Sequence, residues 1–330
     1  MKAVAIRNPG GLEVLSIMDI APPAMKPGHL RVQVRAAALN RADLLQRRGL
    51  YPPPPGESEI LGLEMAGEII EIAPDVAGFA EGERVCALLP GGGYAQEVVV
   101  PAGLATRLPA NMSFEEGAAI PEAFLTAYSN LVWLGGMQTG HRVLIHAGAS
   151  GVGTAAIQLV RELGGRSIVT AGTPEKRAVC LEMGADQALD YKKGPFVNDV
   201  LAWSEGAGVQ IVLDFVGAPY LEQNLQTLAV DGRLVVIGTM GGATADQVDL
   251  GLLLRRRLQI IGTALRSRTL DQKVRLTNEF WNFAGTRFAD GRLRPVVDRV
   301  FPMPDVAEAH RYMESNRNIG KIVMSIDNGV

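Results

Sequence analysis

A glycine-rich string near the middle of the chain constrains the fold more than any other segment. The string, 146–156, follows the apolar run Val143-Leu144-Ile145 and opens an apolar-periodic stretch. Within it Gly151, Gly153 and Ala156 fit the pattern G-x-G-x-x-G/A, which combines a tight turn, a close backbone approach to pyrophosphate and close helix–strand packing. The string therefore predicts a strand, a glycine turn and a helix whose N-terminus favours phosphate groups.

Alternating strands and helices extend from about residue 141 to residue 264. After the glycines, the pattern predicts strands at 167–171, 187–191, 210–215 and 233–237, with helices at 175–183 and 196–204. Uninterrupted apolar runs such as 210–215 are typical of parallel strands covered on both faces. This alternation predicts an α/β domain with a doubly wound, nucleotide-binding sheet.

The end of the second predicted strand indicates which nucleotide binds. NAD-binding domains carry an acid there, about 20 residues past the glycines, to hold the ribose hydroxyls. This chain has none at that point and instead offers Gly172, Thr173, Lys176 and Arg177, which suit a 2′-phosphate that an Asp would repel. We predict NADPH as the cofactor, with Lys176 as the main selector and Tyr191 on the adenosine side. The alternative is that both cations are solvated helix residues.

Composition excludes several classes of protein. The chain has 330 residues with 32 Lys and Arg against 35 Asp and Glu, which allows two domains and indicates no nucleic-acid surface. Its densest basic run, 255–257, is expected at a helix end or in a loop before a strand. No apolar stretch approaches the roughly 20 residues of a membrane span, so we expect a cytoplasmic enzyme. Only Cys86 and Cys180 are present, which favours a reducing compartment.

The outer segments differ from the middle of the chain. The first ~120 residues carry short alternating segments separated by Pro and Gly, which predict an antiparallel β domain. After residue 265 the pattern predicts a helix at 269–283, a strand at 297–301, a helix at 306–315 and a last strand at 320–325. We infer that this tail rejoins the first domain, giving boundaries of 1–123, 124–264 and 265–330.

Several short motifs accompany these elements. They are Ala38-Leu39-Asn40-Arg41-Ala42-Asp43-Leu44, Gly62-Leu63-Glu64-Met65-Ala66-Gly67, Gly82-Glu83-Arg84-Val85, Pro90-Gly91-Gly92-Gly93-Tyr94-Ala95-Gln96, Ala119-Ile120-Pro121-Glu122-Ala123-Phe124-Leu125-Thr126-Ala127 and Asn318-Ile319-Gly320-Lys321-Ile322-Val323. With them the whole chain resembles the medium-chain dehydrogenase/reductases, in particular the zinc-free quinone oxidoreductases related to zeta-crystallin and the p53-inducible subgroup. The resemblance implies a Rossmann-type doubly wound parallel sheet inserted in a GroES-like, mostly antiparallel β catalytic domain.

The chain departs from the zinc alcohol dehydrogenases of that superfamily. Those enzymes carry a Cys near the position of Asn40 and a Gly-His-Glu where this chain has Gly62-Leu63-Glu64. Their structural zinc lobe needs four close cysteines, whereas the interval 85–98 contains only Cys86. The four histidines, at positions 29, 141, 146 and 310, have no ligand spacing between them. We therefore predict that no metal binds.

The resemblance implies reduction of a quinone by NADPH in a cleft between domains. An electron-poor acceptor needs little beyond positioning, and the residues do not separate one-electron from two-electron transfer. The implied acceptor-side residues are Asn40, Asp43, Tyr51, Leu63 and Thr126. Tyr51 is the candidate to hydrogen-bond or protonate the developing oxyanion. Each residue also has a structural alternative. Tyr51 would then be an aromatic packed in its loop, Asn40 and Asp43 would anchor their loop, and the Thr126 hydroxyl would be satisfied within its helix.

The implied cofactor contacts extend beyond the glycine turn. They comprise Ala149, Ser150, Gly151, Val152, Gly153, Gly172, Thr173, Lys176, Tyr191, Val216, Gly217, Gly238, Met240, Gly241, Leu265, Arg266, Ser267 and Asn316. The glycines among them have an alternative role as plain turn residues. The apolar run 258–263 is expected at a sheet edge, and in this family the equivalent strand pairs with its two-fold mate, so a homodimer is expected.

Two other functions stay open at this stage. A 2-enoyl thioester reductase would share the fold, the use of NADPH and a tyrosine near Tyr51, but it would need an acyl channel and basic residues for a carrier phosphate. The chain shows no obvious cluster of that kind. A non-catalytic NADPH-binding or RNA-binding protein is the second alternative, against which the acidic balance argues.

Overall fold

A computed structural model of the protein describes residues 1–327. By its internal contacts the chain divides into two compact units. The first unit comprises Met1–Leu125 together with the described residues from Arg266 onward, and the second comprises Thr126–Leu265. The predicted domain boundaries stay a prediction, because contact clusters need not coincide with domains that fold alone.

The described residues contain the following strands and helices. The strands are β1 (Lys2–Ile6), β2 (Leu15–Asp19), β3 (His29–Ala38), β4 (Glu64–Ile72), β5 (Arg84–Leu88), β6 (Glu97–Pro101), β7 (Ala105–Arg107), β8 (Arg142–Ile145), β9 (Arg166–Thr170), β10 (Gln187–Leu189), β11 (Val209–Asp214), β12 (Leu228–Val236), β13 (Gln259–Gly262), β14 (Val297–Pro302) and β15 (Lys321–Ser325). The α-helices are α1 (Arg41–Arg47), α2 (Phe114–Ala118), α3 (Pro121–Tyr128), α4 (Gly151–Glu162), α5 (Pro174–Glu182), α6 (Val197–Trp203), α7 (Leu221–Thr227), α8 (Leu250–Arg256), α9 (Leu270–Ala289) and α10 (Val306–Glu314).

The first unit is built on a mostly antiparallel sheet. Within the described residues its strands follow the order β14-β15-β3-β4-β5-β7, with β6 also paired to β3. The last strand, β15, pairs antiparallel with β3, so that Val323 lies opposite Ala38. The C-terminal tail therefore rejoins the first unit, as the sequence predicted.

Alternation along β3 explains how this sheet forms a core. Val32 and Val34 are fully buried, whereas the alternating residues Arg31, Gln33 and Arg35 are only partly buried. The alternation arises because successive side chains of a strand point to opposite faces. The buried face belongs to a cluster that also includes apolar residues of β4, β5 and α10.

The second unit is a six-stranded parallel sheet. Its strands follow the spatial order β10-β9-β8-β11-β12-β13. Counted from β8, this is the order 3-2-1-4-5-6 of dinucleotide-binding domains. In this order successive strands are added first on one side of β8 and then, from β11 onward, on the other. The structure confirms the doubly wound parallel fold, and it places β13 at the edge of the sheet, as predicted.

Three elements differ by more than one residue from their predicted extents. Strand β12 begins at Leu228, before the predicted start at 233. Strand β10 ends at Leu189, because the Asp190 side chain accepts a hydrogen bond from the Lys192 backbone and starts a single 3-10 turn. Helix α9 continues to Ala289, well past the predicted end at 283. Its buried Phe280 and Phe288 extend the apolar face by further helical turns.

Candidate active site

The glycine turn joins β8 to α4 in the second unit. The Ser150 side chain caps the helix by accepting from the Gly153 N–H at 3.0 Å. The first turn of α4 contains no acidic residue. A side chain at Gly153 would place its Cβ 2.4 Å from the Ala147 carbonyl oxygen. The turn is therefore tight, and the helix start suits an anion.

His146 holds the strand end beneath this turn. Its Nε2–H donates to Asn224 Oδ1 at 2.7 Å, and Nδ1 lies 3.0 Å from the Thr170 hydroxyl. Burial lowers the pKa of His146 to about 4, so the ring is neutral near pH 7. The histidine thus ties β8, β9 and α7 together and is a structural residue of the turn.

The second turn follows β9. Thr173 caps α5 by accepting from the Lys176 N–H at 3.3 Å. A Cβ at Gly172 would meet the Tyr191 hydroxyl at 2.8 Å, so the Tyr191 ring lies directly against this glycine. Arg177 lies 2.9 Å from Asp190, which compensates its charge. Of the two cations considered for a 2′-phosphate, Arg177 is thus engaged by a carboxylate of the same turn.

The turns after β11 and β12 form a third group. Asp214 ends β11 and accepts from the N–H groups of Val216 and Gly217, at 2.7 and 3.2 Å. Gly217 has a φ of +87°, and its Cβ would lie 2.5 Å from the Gly242 carbonyl oxygen. Only glycine fits this position, so the turn-forming alternative for Gly217 has a clear physical basis.

These turns all lie at the carboxyl ends of the parallel strands. Strands β8, β9, β10, β11 and β12 all end there, because parallel strands have their carboxyl ends on the same side. The predicted cofactor residues at this edge are Ala149, Ser150, Gly151, Val152, Gly153, Gly172, Thr173, Lys176, Tyr191, Val216, Gly217, Gly238, Met240 and Gly241. The capped, acid-free helix start and the reversal of strand order beside β8 fit a dinucleotide.

A buried polar cluster lies in the first unit. Lys321, at the start of β15, places its Nζ 2.7 Å from Glu64 Oε1 and 2.6 Å from Asn40 Oδ1. It also donates to the Leu39 carbonyl at 2.7 Å, and Asn40 Nδ2 donates to Glu64 Oε1 at 2.9 Å. The side chains of Lys321 and Glu64 are 6% and 0% exposed. The cluster is a hydrogen-bonded ion pair that joins three segments of the unit.

Asp43 is fully engaged beside this cluster. It accepts from the Asn40 N–H at 2.7 Å, the Gly62 N–H at 3.2 Å and the Tyr94 hydroxyl at 3.1 Å. Burial raises the pKa of Asp43 to about 6, although these donors act in the opposite direction. The geometry favours the alternative in which Asp43 anchors the start of α1.

Glu122 lies at the start of α3 and extends the cluster. Its backbone N–H donates to Glu64 Oε2 at 2.7 Å. Burial and the nearby Glu64 carboxylate raise the pKa of Glu122 to about 8, so the carboxyl is mostly protonated at neutral pH. It is a half-buried acid that can donate a proton.

Tyr51 is held by Arg266. The Arg266 guanidinium lies 5.2 Å from the centre of the Tyr51 ring, and its Nη1 donates to the Tyr51 carbonyl at 3.3 Å. Burial and Glu122 raise the pKa of the Tyr51 phenol, and the opposing effect of Arg266 is smaller. The phenol is protonated at neutral pH and can donate a hydrogen bond.

The remaining predicted site residues are divided between the units. Thr126, 8% exposed, and Leu265 belong to the second unit, and the Thr126 carbonyl accepts from the Ser129 hydroxyl. Leu63 is buried in the first unit. Asn316, in the left-handed region after α10, accepts a hydrogen bond from Arg41. Arg266 belongs to the first unit, and its guanidinium donates to acceptors of that unit. The roles proposed for all five residues stay predictions.

Residues 1–327 lack two features that alternative functions would need. No helix there combines the length and the apolar character that a membrane crossing needs. In the same part of the chain no group of three or more His, Cys, Asp or Glu side chains is placed to hold a metal ion.

Two family profiles match the chain. The profile described as zinc-binding dehydrogenase matches residues 183–324, and that of the alcohol dehydrogenase GroES-like domain matches residues 26–110. The mouse synaptic vesicle membrane protein VAT-1 homolog is 31% identical, covering 98% of this chain and 83% of its own length. Human quinone oxidoreductase is 29% identical, with 98% and 97% covered. The chain belongs to the zeta-crystallin-like medium-chain dehydrogenase/reductases.

Solved structures of this superfamily agree with the fold. A structure titled NAD-dependent alcohol dehydrogenase has a TM-score of 0.87 at 32% identity, covering 99% of this chain and 100% of that one. A mycobacterial protein complexed with NADPH has a TM-score of 0.87 at 29% identity, with 98% and 100% covered. The CurK enoyl reductase has a TM-score of 0.88 at 26% identity, with 99% of each chain covered.

Zinc, which the matching profile names, does not fit the donor set of this medium-chain dehydrogenase/reductase. Asn40 and Glu64 already bind the Lys321 ammonium, whose positive charge disfavours a cation among them. Leu63 contributes no ligand atom. The oxygen atoms that a metal ion would need as ligands therefore already bind the Lys321 ammonium.

Sequence reasoning missed the residues that complete this cluster. Glu64 and Lys321 were seen only as parts of motifs, and Tyr94 and Glu122 were given no role. One signal was available: Lys321 opens an otherwise apolar strand, Ile322-Val323-Met324, and a charge in such a setting requires a partner.

Proposed function

We propose that this oxidoreductase is an NADPH-dependent, zinc-independent quinone reductase. The observation that carries the proposal is the buried contact of Lys321 with Asn40 and Glu64. In zinc alcohol dehydrogenases the position near Asn40 supplies a metal ligand, whereas here it binds an ammonium. An alcohol without a Lewis acid is a poor hydride donor, but a quinone is already electron-poor and needs mainly positioning.

The second unit supplies the residues for NADPH. The N-terminus of α4, capped by Ser150, suits the pyrophosphate, and the turn with Thr173 and Lys176 suits a 2′-phosphate. Tyr191, packed on Gly172, suits the adenosine. When bound, NADPH would supply the reducing equivalents.

The first unit supplies the polar groups for the acceptor. Tyr51 is proposed to donate a hydrogen bond or a proton to the oxygen that gains charge, since its phenol is protonated and Arg266 fixes its position. Asn40 and Asp43 keep the start of α1 in place. Thr126, which belongs to the second unit, is proposed to offer a further hydroxyl. Each assignment is part of the proposal.

The protein is also proposed to form a homodimer through β13. This edge strand pairs with β12 on one side, and its Ile260 side chain is 43% exposed. An apolar edge strand favours pairing with a second strand, and a second copy offers an identical one.

The first experiment measures oxidation of NADPH and of NADH by the purified protein with ortho- and para-quinones. We expect quinone turnover with a strong preference for NADPH. Lys176→Ala should raise the KM for NADPH about 10-fold or more and leave that for NADH unchanged, because one charge-assisted phosphate contact is worth about 1.5–3 kcal/mol. Lys192→Ala, an exposed lysine, is the matched control.

Enoyl thioester reduction is the second candidate, favoured by the likeness to the CurK enoyl reductase. A crotonyl thioester belongs in the same assay. Turnover of the thioester without turnover of quinones would move the assignment to an enoyl reductase. Tight NADPH binding without turnover of either substrate would contradict both candidates and favour a non-catalytic role.

A further inference from the structure

A cavity lies within the first unit. It has a volume of about 560 Å³, which is in the range of sites for small organic molecules. Its walls come from the loop 54–58, the turn 90–92 and the segment 266–273 at the start of α9. Apolar side chains such as Pro54, Ile60, Leu104 and Leu270 provide much of its lining.

Arg266 supplies a buried positive charge to one wall. It is 6% exposed and donates to the Pro90 carbonyl at 2.8 Å, to the Tyr51 carbonyl and to Gln46 Oε1 at 2.8 Å. All three acceptors are neutral. Within residues 1–327, no carboxylate forms an ion pair with this guanidinium.

Lys273 supplies a second buried charge. Its side chain lines the cavity and the residue is 9% exposed. Among the described residues no side-chain hydrogen bond and no ion pair within 4.0 Å engages its ammonium. Burial lowers the pKa of Lys273, the nearby Glu57 and Glu122 raise it, and Arg266 has a smaller lowering effect. A cation that lines a cavity without an ion-pair partner favours an anion there.

The nearby carboxylates balance these charges only in part. Glu97 lines the cavity but forms an ion pair with Arg31 at 3.4 Å. Glu122 is mostly protonated at neutral pH, since its pKa is about 8. Glu57 is exposed, while Lys26 and Arg268 add further positive charge to the lining. The cavity thus carries an excess of positive charge on apolar walls.

We propose that this cavity binds a small organic anion, with its carboxylate or phosphate group at Lys273 and its apolar body against the Pro54, Leu104 and Leu270 side chains. The ammonium would donate charge-assisted hydrogen bonds to the anion, and the field of Arg266 would add to the attraction. This site goes beyond the proposed reductase activity. Arg266 also contacts Tyr51, but Lys273 and the apolar lining have no part in the proposed binding of the cofactor or the quinone.

Calorimetric titration of the full chain without nicotinamide tests the proposal. The probes are benzoate, phenyl phosphate and the neutral benzamide. We expect at least one anion to bind and benzamide to bind at least 10-fold more weakly. Binding of benzoate alone would identify a carboxylate site, and binding of phenyl phosphate alone would identify a phosphate site.

Variants of Lys273 locate the binding. Lys273→Met should weaken binding of the anion at least 10-fold, whereas Lys273→Arg should retain most of the affinity. Lys193→Met, at an exposed lysine of the second unit, should bind the anion as wild type does. The Met variant is expected to fold, because it removes a buried charge that has no partner. Failure of both anions to bind wild type, or equal binding to Lys273→Met, would overturn the proposal. Neither result depends on quinone turnover.

Discussion

Lys321 Nζ lies 2.7 Å from Glu64 Oε1, and both side chains are almost entirely buried. Replacing Lys321 by Met leaves the Glu64 carboxylate without its partner, which should lower the free energy of unfolding by about 3–5 kcal/mol. Urea denaturation measures this cost. The double variant Lys321→Met/Glu64→Gln should recover part of it, because the buried charge is then gone.

A surface ion pair provides the control for that prediction. Lys2 and Asp19 lie 3.3 Å apart with side chains 39% and 80% exposed. Lys2→Met should therefore cost no more than about 1 kcal/mol. Equal costs for the two lysine variants would contradict the role assigned to the buried pair.

Glu122 should make stability depend on pH. Its folded pKa of about 8 lies above its ordinary value of 4.5, so between these values the native state retains a proton that the unfolded chain has released. The free energy of unfolding should thus fall as pH rises through this window. Glu122→Gln should match wild type near pH 4.5 and exceed it at about pH 9 by about 2–4 kcal/mol.

Unfolding measured across this range compares wild type, Glu122→Gln and the exposed-site variant Glu81→Gln. The control should keep the wild-type slope, since Glu81 is exposed. A Glu122→Gln profile parallel to that of wild type would show that Glu122 ionises normally.

Gly153 should tolerate no side chain. In Gly153→Ala the new Cβ would lie 2.4 Å from the Ala147 carbonyl oxygen, forcing the start of α4 away from the turn. We expect a loss of about 1–3 kcal/mol in stability and weaker NADPH binding. Gly285→Ala in α9, whose Cβ would meet its nearest neighbour at 3.9 Å, should be neutral or stabilising. Unchanged cofactor affinity in Gly153→Ala would argue against a phosphate site here.

Ile260 should control self-association. Glu at this edge-strand position places a charge where two copies are proposed to meet, so Ile260→Glu should convert dimer to monomer in sedimentation experiments. Ile70→Glu, at a residue of β4 in the first unit that is 38% exposed, should leave the oligomeric state unchanged. A wild-type monomer, or a dimer that survives Ile260→Glu, would contradict this interface.

The fold was largely predictable because its signals are local. The glycine turn, the apolar runs of 210–215 and 233–237 and the alternation of β3 each specify an element through neighbouring residues. The doubly wound parallel sheet followed, since parallel strands joined by helices admit few arrangements. The extent of α9 was underestimated, because its last turns are fixed by burial of Phe288 rather than by a local stop signal.

The candidate site was less predictable, because its contacts join distant segments. Arg266 was assigned to the cofactor, yet its guanidinium binds Gln46 and two loop carbonyls. Asp43 was a candidate for the acceptor side, yet three donors occupy its carboxylate. A side chain's partner depends on which segments the fold brings together, and residue spacing does not contain that information.

By itself, the sequence determined the elements of this protein, its parallel sheet and the turn positions that suit a dinucleotide, because periodicity, glycine geometry and capping act over a few residues. Only the tertiary structure decided that Lys321 neutralises Glu64, that Glu122 retains a proton, and that Lys273 lines a cavity without a counter-ion. These properties arise from burial and from electrostatic interactions between segments far apart in the chain, which exist only once the chain has folded.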